Sequence, residues 1–405
     1  MSVPAADGPT QLLAGARVVT PDGVREDAAV RVTGDVIAAV EAAPSAGRAG
    51  DSRVVDLAGA WLLPGYVDLH MHGGGGHSVA GSLHAMDAAV SFHRARGTTS
   101  TLVSLMTAPV DDLRAQLAWA AELTRRGPTP RGSVLGSHLE GPFLSARRCG
   151  AQNEDHMIAP DGAILDRLVA AAEGTLRMIT IAPELEGALA LIGPLRDAGV
   201  IVALGHSDAS YEQAGAAIRA GARHATHLFN AMPPLHHRRP GLVGAALEAG
   251  IPAELINDGR HVHPAVVRLV ANLIACPVLV TDAIDATGVG DGTFVLGGQE
   301  VHVHHGEARL ARTQSLAGST LTMDEAVRRA VTDSGLSIVQ ASAAASANPA
   351  RVLGLEGSIG SIAAGRRADL VVLDDDLRVT AVIAGGEWCP GFDEINRVKI
   401  GLDNS

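Results

Sequence analysis

Eight short apolar runs, separated by stretches of helical period, constrain the fold of this 405-residue chain more than any other feature. The runs are Leu62 to His70, Thr98 to Leu105, Ser133 to Glu140, Leu176 to Ala182, Val200 to His206, His224 to Leu228, Ala253 to Asn257 and Val278 to Asp282. Each is nearly continuous in aliphatic residues rather than alternating, the pattern of a strand covered on both faces. Helical stretches such as Asp111 to Arg126 and Tyr211 to Ala220 lie between them. Strands alternating with helices make a parallel sheet, and eight such units suit an α/β chain folded as a (β/α)8 TIM barrel, which takes about 250 residues. An open doubly wound sheet is the competing arrangement. It is weakened by the turn after the first strand, His72 to His77, which lacks the Gly-x-Gly-x-x-Gly shape. The Ala-rich segment Gln340 to Ala350 reads as helix.

Both ends of the chain have a different texture. Residues 15–41 alternate short β-branched runs with Asp-Gly and Gly-Asp turns, and residues 357–388 repeat that pattern. Neither end is long enough to bury a core alone. The expectation is a small β-sandwich domain made from residues 1–58 plus 353–405, around a barrel spanning 59–352.

Composition narrows the function. Hydrophobic residues make up 47% of the chain and aromatics only 2%, so a large core must be built from Ala, Val, Leu and Ile. The formal charge of −12 repels nucleic acid and anionic membranes, so neither is an expected partner. An anionic substrate needs a local basic pocket against that field. No apolar run reaches the roughly 18 residues of a membrane span; the stretch from Leu273 to Val280 is short and holds Pro277. The first ten residues carry neither a basic nor an apolar segment of a signal peptide. Cys149, Cys276 and Cys389 are odd in number and far apart. A cytoplasmic protein without structural disulfides is expected.

The chemistry lies at the C-terminal ends of the proposed strands, the rim where barrel enzymes hold their active sites. The first ends in His70 and His72, the third in His138 and Glu140, the fifth in His206, the sixth in His227 and the eighth in Asp282. Taken singly, each has a structural explanation: a surface His pair, a helix cap, a satisfied core histidine. Five strands delivering an imidazole or a carboxylate to one rim are not explained by packing. Imidazole and carboxylate without thiolate suit Zn²⁺, or Fe²⁺, Mn²⁺, Co²⁺ or Cd²⁺. Such an ion polarises a carbonyl and activates water, and a nearby carboxylate can carry the proton, so the expected activity is hydrolysis. The segment "LHHRRP" adds two histidines and two arginines to an acidic chain, and Arg presents a planar fork that suits phosphate oxygens.

These residues resemble the amidohydrolase superfamily, as does the terminal "GRRADLVVLD" at 365–374. Within it, "HLEGPF" at 138–143, "GAQ" at 150–152, "LGHSDA" at 204–209, "THLFNAM" at 226–232, "HHRRPG" at 236–241, "DGRHV" at 258–262 and "VTDA" at 280–283 are similar to the branch that removes the acetyl group from N-acetyl-D-glucosamine 6-phosphate. The resemblance implies Glu140, His206 and His227 as principal metal ligands and Asp282 as the catalytic acid/base. It implies substrate contacts from Asn230, Ala231, Arg238 and His261 on the phosphate side. Ala151 and Gln152 fall in the loop over the sugar, and His138 near the acetyl group. It implies a homodimer in which Arg238 or His261 reaches the neighbouring active site. Arg239 stands where relatives often have an acidic residue, so Arg238 is the expected phosphate ligand of the pair. His70 and His72, with Asp282, complete a second metal site, Glu140 bridging the two ions, with His77 just outside. Cys149, beside the sugar-covering segment, reads either as a tolerated free thiol or as a redox-sensitive residue of a mobile lid. Two rivals stay open from the residues alone: an amidohydrolase of dihydroorotase or dipeptidase type, and a non-catalytic amidohydrolase-like assembly protein.

Overall fold

The computed structural model describes residues 8–42, 53–128 and 133–390. The remaining parts of the expected terminal domain, 1–7, 43–52 and 391–405, lie outside the described residues.

All eight runs contain strands, and the strands form one parallel sheet in chain order: Tyr66–Asp68, Thr98–Met106, Ser133–Glu140, Leu176–Ile181, Ile201–Leu204, His224–Ala225, Ala253–Ile256 and Pro277–Val280. A helix follows each strand, and short polar side chains that bond the free backbone amides mark several helix starts. Asp161 caps Gly162–Ala171, and Ser210 with Gln213 makes a capping box for Tyr211–Ala220. The inward helix faces carry small residues such as Ala120, Ala214, Ala217 and Ala246, so the helices pack closely on a core nearly devoid of aromatics.

The ladder is open between the first and eighth strands, and the seam is closed at the C-terminal rim. The Asp282 amide donates to the His70 carbonyl at 2.8 Å, and the His72 amide donates to the Ala283 carbonyl at 2.8 Å. Met71 and Ala283 form a parallel bridge. Below them Thr281 Oγ1 donates to the buried carboxylate of Asp68 at 2.6 Å. Burial pushes the Asp68 carboxyl up to about 6, against the opposing pull of Thr281. The barrel therefore closes through the residues that carry its chemistry.

The expected first strand is two strands. Trp61–Pro64 pairs with Thr10–Thr20 and Leu370–Leu373 in the terminal sheet, and only Tyr66–Asp68 enters the barrel. The chain changes sheets at Gly65, where a Cβ would collide with Thr99. The terminal strands make one curled eight-stranded sheet from both ends of the chain, with its own core of Leu13, Val18, Val30, Ile37, Leu62, Leu370 and Ile383.

A three-stranded sheet, Gly292–Leu296, Gln299–His304 and Glu307–Leu310, rises after the eighth strand. Its first turn is Gly297-Gly298, both at positive φ (56° and 78°), as a two-residue hairpin requires. Its small core receives Met106 from the second strand and Ala151 from the loop after the third, and Gln299 Nε2 donates to the Ala151 carbonyl at 2.9 Å. It thus roofs one side of the rim. Among the described residues no helix is long and apolar enough to cross a membrane.

Candidate metal centre

Two groups of side chains meet at the rim, His70, His72 and Glu140 in one and Glu140, His206 and His227 in the other, all buried. Glu140 belongs to both. Its Oε1 lies 3.1 Å from the Nε2 atoms of His206 and His227 and 3.4 Å from that of His70, and its Oε2 lies 3.4 Å from His72 Nε2. Asp282 Oδ1 completes the ring at 3.2 Å from His72 and 3.6 Å from His70. The backbone is strained where it aims these groups. His206, His227 and Asp282 take positive φ values of 45°, 24° and 49°, which non-glycine residues adopt at a cost of order 1–3 kcal/mol and retain mainly at functional sites. For the same reason the sixth strand ends at Ala225, short of the expected Leu228.

The hydrogen bonds behind the rings decide what the fronts can hold. His72 Nδ1 donates to the Ser104 carbonyl and His206 Nδ1 to the Arg148 carbonyl, each at 2.9 Å. His70 Nδ1 lies 2.9 Å from Glu254 Oε2, a carboxylate that can only accept. A neutral ring with its proton on Nδ1 has a lone pair on Nε2. Yet the Nε2 atoms of His70 and His72 are 3.0 Å apart, as are those of His206 and His227, and all four face Glu140. His227 Nδ1 has no partner, so that ring is not fixed from behind, but the lone pairs of the other three, converging on one another and on a carboxylate, need positive charge between them. A divalent cation fits this donor set. Without one, protons take its place: burial pushes His70 and His72 down, but Glu140, Glu254 and Asp282 outweigh it at His70, and Asp282 and Glu140 lift His72 to about 9. Burial raises Glu140 and Asp282, and the facing histidines more than offset it, holding both carboxyls below their usual range.

A cavity of about 420 Å³ opens over this centre. Ala151, Gln152, Asn230, Ala231, His261 and Asp282 line it, together with His72, Glu140, His206 and His227. Gln152 is pinned: its Nε2 donates to Glu140 Oε2 at 2.5 Å while its Oε1 accepts from the Thr107 amide at 2.8 Å. His261 is held through Nδ1 by Asp258 at 2.7 Å. Asn230 folds back on the His227 carbonyl at 3.2 Å.

Two expected substrate contacts lie elsewhere. His138 is fully buried beneath the His70 ring, bonded to Ser104 Oγ at 3.0 Å and Thr180 Oγ1 at 2.8 Å, and does not line the cavity. Burial pushes it down to about 3, so it is neutral. Arg238 stands exposed in the turn bridged by His236 and Arg239, outside this chain's cavity. His77 pairs with Gly74 in a two-residue hairpin and belongs to neither ligand group. Cys149 lines the cavity, but burial and Glu154 push its thiol up to about 11, and the thiol is the unreactive form.

Some groups escaped the sequence reading. Glu254 binds His70 Nδ1, lies 3.1 Å from His224 Nε2 and accepts from the His227 amide at 3.0 Å. A lone Glu in the apolar strand Ala-Glu-Leu-Ile was the available signal. Arg147 and Arg148 bring positive charge to the cavity wall and pair with Asp208 at 3.5 and 2.7 Å.

A parallel barrel whose strand ends hold two pairs of imidazoles around a shared carboxylate, with a further carboxylate on the eighth strand, is the architecture of the metal-dependent (β/α)8 hydrolases. Sequence comparison narrows the class. A profile of the amidohydrolase family matches residues 61–389, and the chain belongs to that family. It is 40% identical over 384 residues to an N-acetylgalactosamine-6-phosphate deacetylase from Escherichia coli O157:H7, covering 93% of this chain and 99% of that one. It is 38% identical over 336 residues to an N-acetylglucosamine-6-phosphate deacetylase from Lysinibacillus sphaericus, covering 81% and 85%. Its fold is similar to that of a mutant N-acetyl-D-glucosamine-6-phosphate deacetylase from Mycobacterium smegmatis, solved in complex with N-acetyl-D-glucosamine-6-phosphate. The TM-score is 0.88 at 43% identity, over 94% of this chain and 100% of that one.

Proposed function

We propose that this protein hydrolyses the acetamido group of N-acetyl-D-glucosamine 6-phosphate, giving acetate and D-glucosamine 6-phosphate. The observation that carries the reading is Glu140 shared between two histidine pairs, with Asp282 beside them on the floor of the cavity. Relatives along nearly the whole chain act on phosphorylated N-acetyl amino sugars. Neither the dihydroorotase-type reading nor the assembly-protein reading is favoured.

His70, His72, Glu140, His206, His227 and Asp282 would hold two divalent ions, zinc best suited to these ligands. When bound, they supply a Lewis acid for the amide carbonyl and make water a nucleophile near neutral pH. Asp282, ionised, takes a proton from the attacking water and returns it to the departing nitrogen, since an amine leaves poorly as an anion. Glu254 and the Ser104 and Arg148 carbonyls hold the rings in the tautomer that presents Nε2. Asn230, Ala231 and His261 place the sugar phosphate, which positions the amide without entering the chemistry. Arg238, outside its own cavity, serves the site of the other subunit of a homodimer. The three cysteines form no disulfide among the described residues, which suits work in the cytoplasm.

The 40% match to an N-acetylgalactosamine-6-phosphate deacetylase, covering 99% of its length, favours the 4-epimer as a second substrate. The test is metal analysis beside a deacetylation assay with N-acetylglucosamine 6-phosphate, its galactosamine epimer and unphosphorylated N-acetylglucosamine. Bound metal with strong preference for a phosphorylated sugar is expected. Equal rates with and without phosphate would refute the phosphate contacts, and bound metal with no amide hydrolysis would refute the reading.

A further inference from the structure

A second cavity of about 380 Å³ lies against the first. The two share His72, Met106 and Leu296 as lining residues. The residues assigned to the sugar phosphate, Asn230, Ala231 and His261, line only the first cavity. Once the amide carbonyl sits at the metal centre, its nitrogen and sugar occupy the side of those residues. The remaining substituent on the carbonyl carbon, the acyl chain, then points across His72 toward the partition made by Met106 and Leu296.

The far side of that partition suits a short aliphatic chain. Buried Val79 and half-buried Ala108 line it together with the exposed Pro109 and Val295 and the polar Ser78, Asp112, Asn153 and His156. Met106 is a flexible side chain that can make way. A water takes about 30 Å³, so the space greatly exceeds what the methyl of an acetyl group needs. Gln116 adds a polar end: it is buried, lines this cavity, and its Oε1 has no hydrogen-bond partner. A buried acceptor calls for a donor, and water retained behind the chain supplies one.

We propose that this side cavity is the acyl subsite and that the enzyme accepts N-acyl groups longer than acetyl. The inference rests on the deacetylase reading above and goes beyond it. The bond change is the same for every chain length: the amide C–N bond breaks, one water adds, and the products are a carboxylic acid and the amino sugar phosphate.

The test compares N-acetyl-, N-propanoyl- and N-butanoyl-glucosamine 6-phosphate. For the wild-type protein kcat/KM should stay within about tenfold across the series, whereas a pocket closed beyond the methyl loses roughly 10–200-fold for each added methylene. The second result overturns the subsite. Two variants fill the cavity from different walls, Ala108→Phe and Val295→Trp, so that one remains informative should the other fail to fold. Each should keep acetyl turnover within about threefold and lose on the order of a hundredfold on the butanoyl compound. An equal loss on both substrates means that the cavity drains product or supports the fold, and overturns the proposal. No turnover of the acetyl compound by the wild type overturns the deacetylase reading instead, and the subsite with it.

Discussion

The backbone amide of Asp282 donates to the carbonyl of His70 at 2.8 Å, across the join in the barrel sheet that the strand ladder leaves open. The candidate proton carrier and the first candidate metal ligand are thereby set by the same seam. The link is main chain to main chain, so the Asp282 side chain can be changed without opening it.

That separation leaves the barrel seam intact in Asp282→Asn, and because Asp282 is also a candidate metal ligand, bound metal is measured beside the kinetics. The variant should keep the thermal midpoint within a few degrees and lower kcat by about 10²- to 10⁴-fold, the range for a positioned general acid–base group. KM for the phosphorylated sugar should change little, because Asn230, Ala231 and His261 are untouched. Steady-state kinetics on metal-replete protein check this. Near-normal kcat would remove Asp282 from the proton path.

Glu254 should matter almost as much as the ligands it supports. Its two oxygens face three groups, His70 Nδ1, His224 Nε2 and the His227 amide. In Glu254→Gln the negative charge is lost, and the new NH₂ group either confronts the donors His70 Nδ1 and the His227 amide or turns to His224 and forces that ring into its other tautomer. Metal affinity should fall roughly 10–100-fold, as for other residues behind metal-binding histidines. Competition against a chelator of known affinity measures it without reference to turnover. Unchanged affinity would mean that Glu254 serves the barrel interior alone.

How far the sequence spoke for the structure depends on the element. The eight strands were legible because a strand buried on both faces is a continuous apolar run. Gly65 hid the switch between sheets, since Trp61–Pro64 and Tyr66–Asp68 are equally apolar and periodicity cannot say which sheet a residue joins. The three-stranded sheet was written in Gly297-Gly298 between alternating residues, a hairpin signal that went unread. Histidines and acids at strand ends announced the centre. Glu254 stayed hidden because it sits within a strand, and Arg148 because its contribution at the centre is a backbone carbonyl. His138 followed the rim pattern yet faces the barrel interior: what distinguishes it is depth, which spacing along a strand does not encode.

Acid should weaken the fold in a defined window through His93. Its Nε2 donates to the Gly73 carbonyl at 2.8 Å, its Nδ1 has no partner, and burial holds it down to about 4. At neutral pH the ring is uncharged whether folded or unfolded, and it contributes no slope. Below about 6.5 the unfolded chain takes up a proton that the folded chain refuses, so stability falls until pH reaches about 4. The full loss is about 3 kcal/mol. Urea unfolding of the wild type and His93→Gln between pH 4.5 and 7.5 checks this: the difference between them should shrink toward the acid end. A constant difference would clear His93 of the effect.

Arg238 offers the sharpest test of assembly. It is exposed and lines no part of its own chain's cavity, so in the proposed dimer it completes the other subunit's phosphate site. Arg238→Ala alone should raise KM for the phosphorylated sugar by about tenfold or more, the loss of one charge-assisted contact. Asp282→Asn alone should be nearly inactive. Unfolded together in equal amounts and refolded, half the dimers would be hybrids. In each hybrid the site that retains Asp282 would face the intact Arg238 of the other subunit. Activity at low substrate should therefore recover to about a quarter of the wild-type value, because only one of the two sites in each hybrid is whole. If Arg238 instead acts within its own chain, each hybrid site lacks one group or the other. The mixture would then show only the average of its two parents.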